Sequence, residues 1–155
     1  LLPVDITGNN IRLGISLSDL YKKLATYPVK GAYVFLDACF SGGYKSAAPL
    51  LAQKGVRVVP KVGLPQGNTL SFSSSSGDQT SSVYHEKKQG YYTYFLIKTI
   101  RDAKGNISMK ELFDRTSAAV KRATLIDKIQ EPQCMASPTW IGWEDIKLET
   151  PVVTP

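Results

Sequence analysis

Apolar positions along the chain change period several times, and each change predicts an element. Ser16-x-x-Asp19 has the form of a capping box, and Leu17, Leu20, Tyr21 and Leu24 follow at helical spacing. A helix therefore opens at Ser16 and ends before Pro28. Residues 31–37 are nearly all apolar, as expected of a central strand covered on both faces in an α/β sheet. Thr69-Leu70-Ser71-Phe72-Ser73 alternates in polarity and predicts a second strand over 69–75. A polar loop rich in Ser and Lys spans 76–89. Gly90 then precedes a helix with Tyr91, Tyr94, Phe95, Ile97 and Ile100 on or near one stripe, ending around Lys104-Gly105. Ser108-Met109-Lys110-Glu111 is a second capping box, opening a helix that carries Leu112, Phe113, Ala119 and Val120. The other stretches are less regular. Residues 1–15 read as a strand end and loop turning at Gly8-Asn9-Asn10, 44–53 as a short helix, and 56–59 as a short strand or loop. Residues 131–143 read as irregular, with Thr139-Trp140-Ile141 as a last short strand, and 150–155 as a loose tail.

Composition narrows the class. A chain of 155 residues with 43% hydrophobic and 21% charged positions suits one globular domain with a sizeable core. The excess of 19 basic over 13 acidic residues gives a charge of +6, compatible with an acidic partner. The basic residues form no run longer than a pair, such as Lys87-Lys88 or Lys121-Arg122, so they read as solvated helix faces and no nucleic-acid partner is expected. No apolar run reaches the roughly 18 residues of a membrane span. Two cysteines and one histidine provide neither a disulfide framework nor metal-ligand spacing, and no cofactor is expected. Leu1-Leu2-Pro3-Val4-Asp5 lacks the features of a signal peptide. With no Met at position 1 and a strand-like apolar start, it predicts a chain cut inside a domain, with a cytoplasmic location as the expectation.

The chemistry concentrates in Tyr33-Val34-Phe35-Leu36-Asp37-Ala38-Cys39-Phe40-Ser41-Gly42-Gly43, where a buried-strand pattern ends at an acid, a cysteine and a glycine turn. A strand end holds a thiol rigidly while the glycines clear space for a substrate. The segment resembles the nucleophile strand of the caspase and metacaspase cysteine peptidases, whose metacaspase and bacterial members read D-x-C-x-S-G. Four further segments resemble that family in the same order. They are Leu1-Leu2-Pro3-Val4-Asp5, Ser76-Gly77-Asp78-Gln79-Thr80-Ser81, Gly90-Tyr91-Tyr92-Thr93-Tyr94-Phe95-Leu96 and Gln130-Glu131-Pro132-Gln133. Ile15-Ser16-Leu17-Ser18-Asp19-Leu20 is similar to the helix before the nucleophile strand. The resemblance implies a caspase-like three-layer α/β sandwich. Its sheet would be mostly parallel, with helices on both faces and the site at the carboxyl ends of the strands.

The resemblance also implies roles. Cys39 would be the nucleophile of a Cys-His dyad and would donate its backbone N–H to the oxyanion hole; the alternative is a small buried core residue. The family's histidine lies about 50 residues upstream of its cysteine. Only 38 residues precede Cys39 and none is His, so the base is expected from a second chain or upstream sequence that also completes the sheet. His85, the single histidine, lies after the cysteine in a polar loop and reads as a surface residue. Asp37 stands at i−2 from Cys39, a spacing that puts both side chains on one face of a strand. Its carboxylate would receive an Arg or Lys before the scissile bond, giving metacaspase-like basic specificity in protein or peptide substrates; alternatively it caps the next helix. Asp78 is either a second acid of that pocket or a turn residue. Many metacaspases bind calcium through aspartates, but Leu17, Ser18 and Ser46 stand at those places, so calcium independence is expected. Cys134 reads as structural.

The resemblance divides 1–149 as one domain: 1–40 ends the large-subunit-like part, 41–68 is linker-like, and 69–149 is small-subunit-like, with 150–155 as tail. Lys45, Lys54, Arg57 and Lys61 make 41–68 either a self-processing segment or an uncut surface loop. Two other classes stay open. One is a catalytically inactive caspase-like scaffold. The other is an unrelated α/β binding domain with Cys39 in its core.

Overall fold

The computed structural model describes residues 14–38, 63–76, 81–126 and 128–148. Helix α1 spans Leu17–Ala25, and the Ser16 side chain accepts from Asp19 N at 3.2 Å, as its capping pattern predicts. Strand β1 spans Ala32–Leu36 and β2 spans Thr69–Ser73. Two-residue strands β3 (Val83–Tyr84) and β4 (Gln89–Gly90) flank a single 3-10 turn, His85–Lys87. Helix α2 spans Tyr91–Asp102, α3 spans Met109–Thr124, and β5 spans Gln133–Ala136.

The main sheet has the order β1-β2-β5. Strands β1 and β2 are parallel, with Phe35 opposite Phe72, whereas β5 runs antiparallel to β2, with Cys134 opposite Phe72. Among the described residues the sheet is therefore mixed, with one parallel and one antiparallel pairing, and not the mostly parallel sheet expected. The difference lies in 131–143. This stretch reads as irregular from its prolines, yet Gln133–Ala136 pairs in the ladder, while Thr139 to Ile141 forms no strand, with Thr139 and Ile141 in turns. Pro132 sits just before β5, where a missing N–H costs nothing to the ladder.

Strand alternation sends the two sets of β2 side chains to opposite faces. Leu70 and Phe72 enter a core with Tyr92, Ile107, Met109, Leu112, Val120 and Trp140. On the other face Tyr21 of α1 donates its hydroxyl to Ser71 at 2.8 Å and packs with Leu17 and Leu36. All five β2 residues are buried, because the polar half of the alternation is covered by a helix rather than by water. Strand β1 behaves differently. Tyr33 and Phe35 are exposed among the described residues, so the expected covering of both faces does not hold there.

Helix α3 buries Met109, Leu112, Thr116 and Val120 at i, i+3, i+7 and i+11, and its cap Ser108 accepts from Glu111 N at 3.2 Å. In α2 the deeply buried aromatic is Tyr92, which the stripe of Tyr91, Tyr94, Phe95, Ile97 and Ile100 passes over, and Ile97 is about half exposed. A left-handed Lys104 and Gly105 turn the chain out of α2, where the Lys-Gly pair predicts its end. The turn at 8–10, the helix at 44–53, the strip at 56–59 and the tail at 150–155 lie outside the described residues.

Candidate functional site

The carboxyl end of β1 meets the amino end of α2, and Asp37 is the residue that joins them. It follows Leu36 directly, and its side chain continues the face on which Phe35 meets Phe72. Helix α2 begins after Gly90, which has no side chain to cap the first orphan N–H groups. Asp37 supplies that cap from 56 residues away: its Oδ2 accepts from Thr93 N at 3.3 Å and from Thr93 Oγ1 at 2.5 Å. An anion at a helix amino terminus is also favoured by the helix dipole. Asp37 thus caps α2, whereas the helix expected at 44–53 lies outside the described residues.

Gly90 is required by this approach. Its φ of −66° is open to any residue, but a Cβ there would overlap Asp37 Oδ2 and stand 3.0 Å from Cγ. Asp37 remains exposed, and with Ser81, Ser82, Val83 and Gly90 it lines an open pocket of about 250 Å³. That is below the roughly 300–1,000 Å³ of sites for drug-sized ligands and suits one long side chain. Among the described residues Asp37 makes no ion pair.

A polar lattice fixes the pocket wall. Ser74 N donates to Leu36 O at 2.8 Å, and the Ser74 hydroxyl donates to Ala38 O and meets Ser81 Oγ. Gln130 is fully buried. Its Oε1 accepts from Ser82 N at 2.9 Å and its Nε2 donates to Ser74 O at 2.8 Å. One amide thus ties the end of β2 to the pocket-lining segment. Tyr91 N donates to Ser82 O at 3.2 Å, closing the wall onto α2. Beside it Tyr84 stacks on Tyr91 with ring centroids 4.6 Å apart and meets Tyr94 edge-on. The Tyr92 hydroxyl has no partner among the described residues, and its proton is held far above the ordinary phenol range by burial and then by the Asp37 charge.

Of the sequence-derived candidates, the structure describes Asp37 alone. Cys39, Asp78, Lys45, Lys54, Arg57 and Lys61 lie outside the described residues. Gly90, Thr93 and Gln130 stand in segments whose resemblance was noted, yet pattern alone assigns them no role. A helix opening at an uncapped glycine is the one signal that a cap must arrive from elsewhere. His85 is exposed in its 3-10 turn, as a surface histidine should be. Among the described residues no group of three or more His, Cys, Asp or Glu is arranged to hold a metal ion, and no helix is long and apolar enough to cross a membrane.

Cys134 is a half-buried free thiol in β5. Burial first, then the Asp114 and Glu144 charges, push it up to about 12. At pH 8 the thiolate fraction is therefore about one in ten thousand, against about a quarter for a free thiol near 8.5. Alkylation of the folded protein by iodoacetamide is expected to leave Cys134 unmodified on the timescale of free cysteine, as read by peptide mass mapping. Rapid labelling of Cys134 before unfolding would contradict this protection.

Residues 1–139 match the family model described as the Caspase domain, of the C14 peptidases. No individual curated protein matches the sequence.

Proposed function

The chain belongs to the caspase-domain family of cysteine peptidases, and from that premise we propose that it is the nucleophile-bearing part of an endopeptidase cutting after Arg or Lys. The observation that carries the basic specificity is Asp37, an exposed carboxylate in a side-chain-sized pocket, with no ion-pair partner among the described residues. Cys39, two residues on, would attack the peptide carbonyl. A histidine from sequence outside this chain would take its proton and return it to the leaving amine, and water would release the acyl-enzyme. The Cys39 N–H would be one oxyanion donor.

Several finer elements belong to the same reading. The complete domain is a three-layer sandwich divided at 41–68. Packing of α1 on one face of β2 and of α2 and α3 on the other supports it. A second segment or chain carries the histidine and covers β1, which pairs on one side only among the described residues and exposes Tyr33 and Phe35. Asp78 is a second acid of the pocket. Lys45, Lys54, Arg57 and Lys61 are self-cleavage positions of the same specificity, and no metal or cofactor takes part.

Asp37→Asn tests the central point, because an amide oxygen can still cap Thr93 while the charge is gone. In the intact protein, kcat/KM for Arg- and Lys-terminated fluorogenic peptides is expected to fall about 10²-fold or more, with little change in Tm. Unchanged cleavage of both would remove Asp37 as the recognition acid. Absence of any cleavage or active-site labelling in the intact parent protein would favour the inactive scaffold.

A further inference from the structure

The Asp37 carboxylate is held by one oxygen. Oδ2 takes both the N–H and the hydroxyl of Thr93, at 3.3 and 2.5 Å, which occupies its two lone-pair positions. Gly90 closes the same side, since a Cβ there would overlap Oδ2. Among the described residues no hydrogen bond reaches Oδ1. We infer that Thr93 is a positioning residue that commits Oδ2 to the helix and offers a basic side chain Oδ1 alone, so that the pocket takes Lys and Arg with similar efficiency.

This inference rests on Asp37 as the recognition acid. A guanidinium gains its advantage over an ammonium from the two-pronged match to both oxygens of a carboxylate. With Oδ2 filled and walled by α2 and Gly90, one prong has no acceptor. The ammonium of Lys is a point charge that needs only one oxygen, so it loses nothing by the arrangement. The same two bonds stop the carboxylate from rotating to present its other edge.

The test measures kcat and KM in the intact protein for matched peptides ending in Arg or Lys, with Thr93→Val, Thr93→Ser and Asp37→Asn beside the parent. The parent is expected to prefer Arg by no more than about tenfold. Thr93→Val opens one position on Oδ2 and is expected to raise the Arg-to-Lys ratio of kcat/KM by about threefold or more, chiefly through KM, and Thr93→Ser to restore the parent ratio. A purely structural role would weaken both peptides equally. A parent preference well beyond tenfold overturns the inference, as does a ratio unmoved by Thr93→Val. Should Thr93→Val fail to fold, Gly90→Ala displaces the carboxylate from its Oδ2 seat and must change the ratio for the inference to survive. Loss of both activities in Asp37→Asn with no change of ratio in the Thr93 and Gly90 variants refutes the role of Thr93 alone. Retention of both activities in Asp37→Asn refutes the underlying reading.

Discussion

Cys39→Ala in the intact protein is expected to lower kcat/KM for an Arg-terminated peptide by about 10⁴-fold or more, because removing the proposed nucleophile would leave only binding and oxyanion stabilisation. An Arg-terminated acyloxymethyl ketone should add once to the parent protein, at Cys39, and not at all to the variant. The second thiol makes this a clean experiment, since burial and two nearby carboxylates keep Cys134 protonated. Cys134→Ala should therefore keep both labelling and turnover. Substantial turnover by Cys39→Ala would dismiss a cysteine mechanism at that position. A parent protein that carries the histidine segment yet neither turns over nor labels would be a scaffold.

The second large effect concerns stability and lies outside the catalytic residues. Gln130→Ala is expected to destabilise the protein by about 2–5 kcal/mol. It leaves the buried Ser74 carbonyl and the partly buried Ser82 N–H without their partner, at about 1–3 kcal/mol for a fully buried group and somewhat less for the other. Against a total stability of about 5–15 kcal/mol this is severe, and it should lower Tm by roughly 5–15 °C. Scanning calorimetry or urea unfolding measures it directly. Gln130→Glu refines the result. The carboxylate still accepts from Ser82 but repels the Ser74 carbonyl, so its deficit should shrink as the pH falls and the protonated acid can donate. Because Ser82 lines the pocket beside Asp37, KM for basic peptides should rise in Gln130→Ala even under conditions where the protein stays folded. A Tm within a degree of the parent would mean that water replaces the amide at no cost.

Legibility was highest where one residue type has one local use. Ser16 and Ser108 cap the helices that their sequences announce, because a hydroxyl three residues before an N–H is a contact within one turn. The alternation at 69–73 names a strand, and the Lys104-Gly105 pair names the end of α2. The acid-cysteine-glycine segment, with the ordered segments around it, pointed to the family that residues 1–139 match. These are local or linear properties of the chain.

The tertiary structure decided what depends on residues distant in sequence. No local pattern separates an Asp that caps its own helix from one that caps a helix 56 positions away, so the bond from Thr93 to Asp37 and the need for glycine at 90 emerge only when β1 and α2 meet. Strand β5 is hidden for the same reason. Its four residues carry little propensity of their own and become a strand because β2 offers an open ladder edge. Burial of Ser71 and Gln130 contradicts their polarity until Tyr21, Ser74 and Ser82 supply partners. The chain thus carries its caps, turns and candidate nucleophile in its linear order, whereas the shape and charge of the pocket arise from contacts between segments far apart along it.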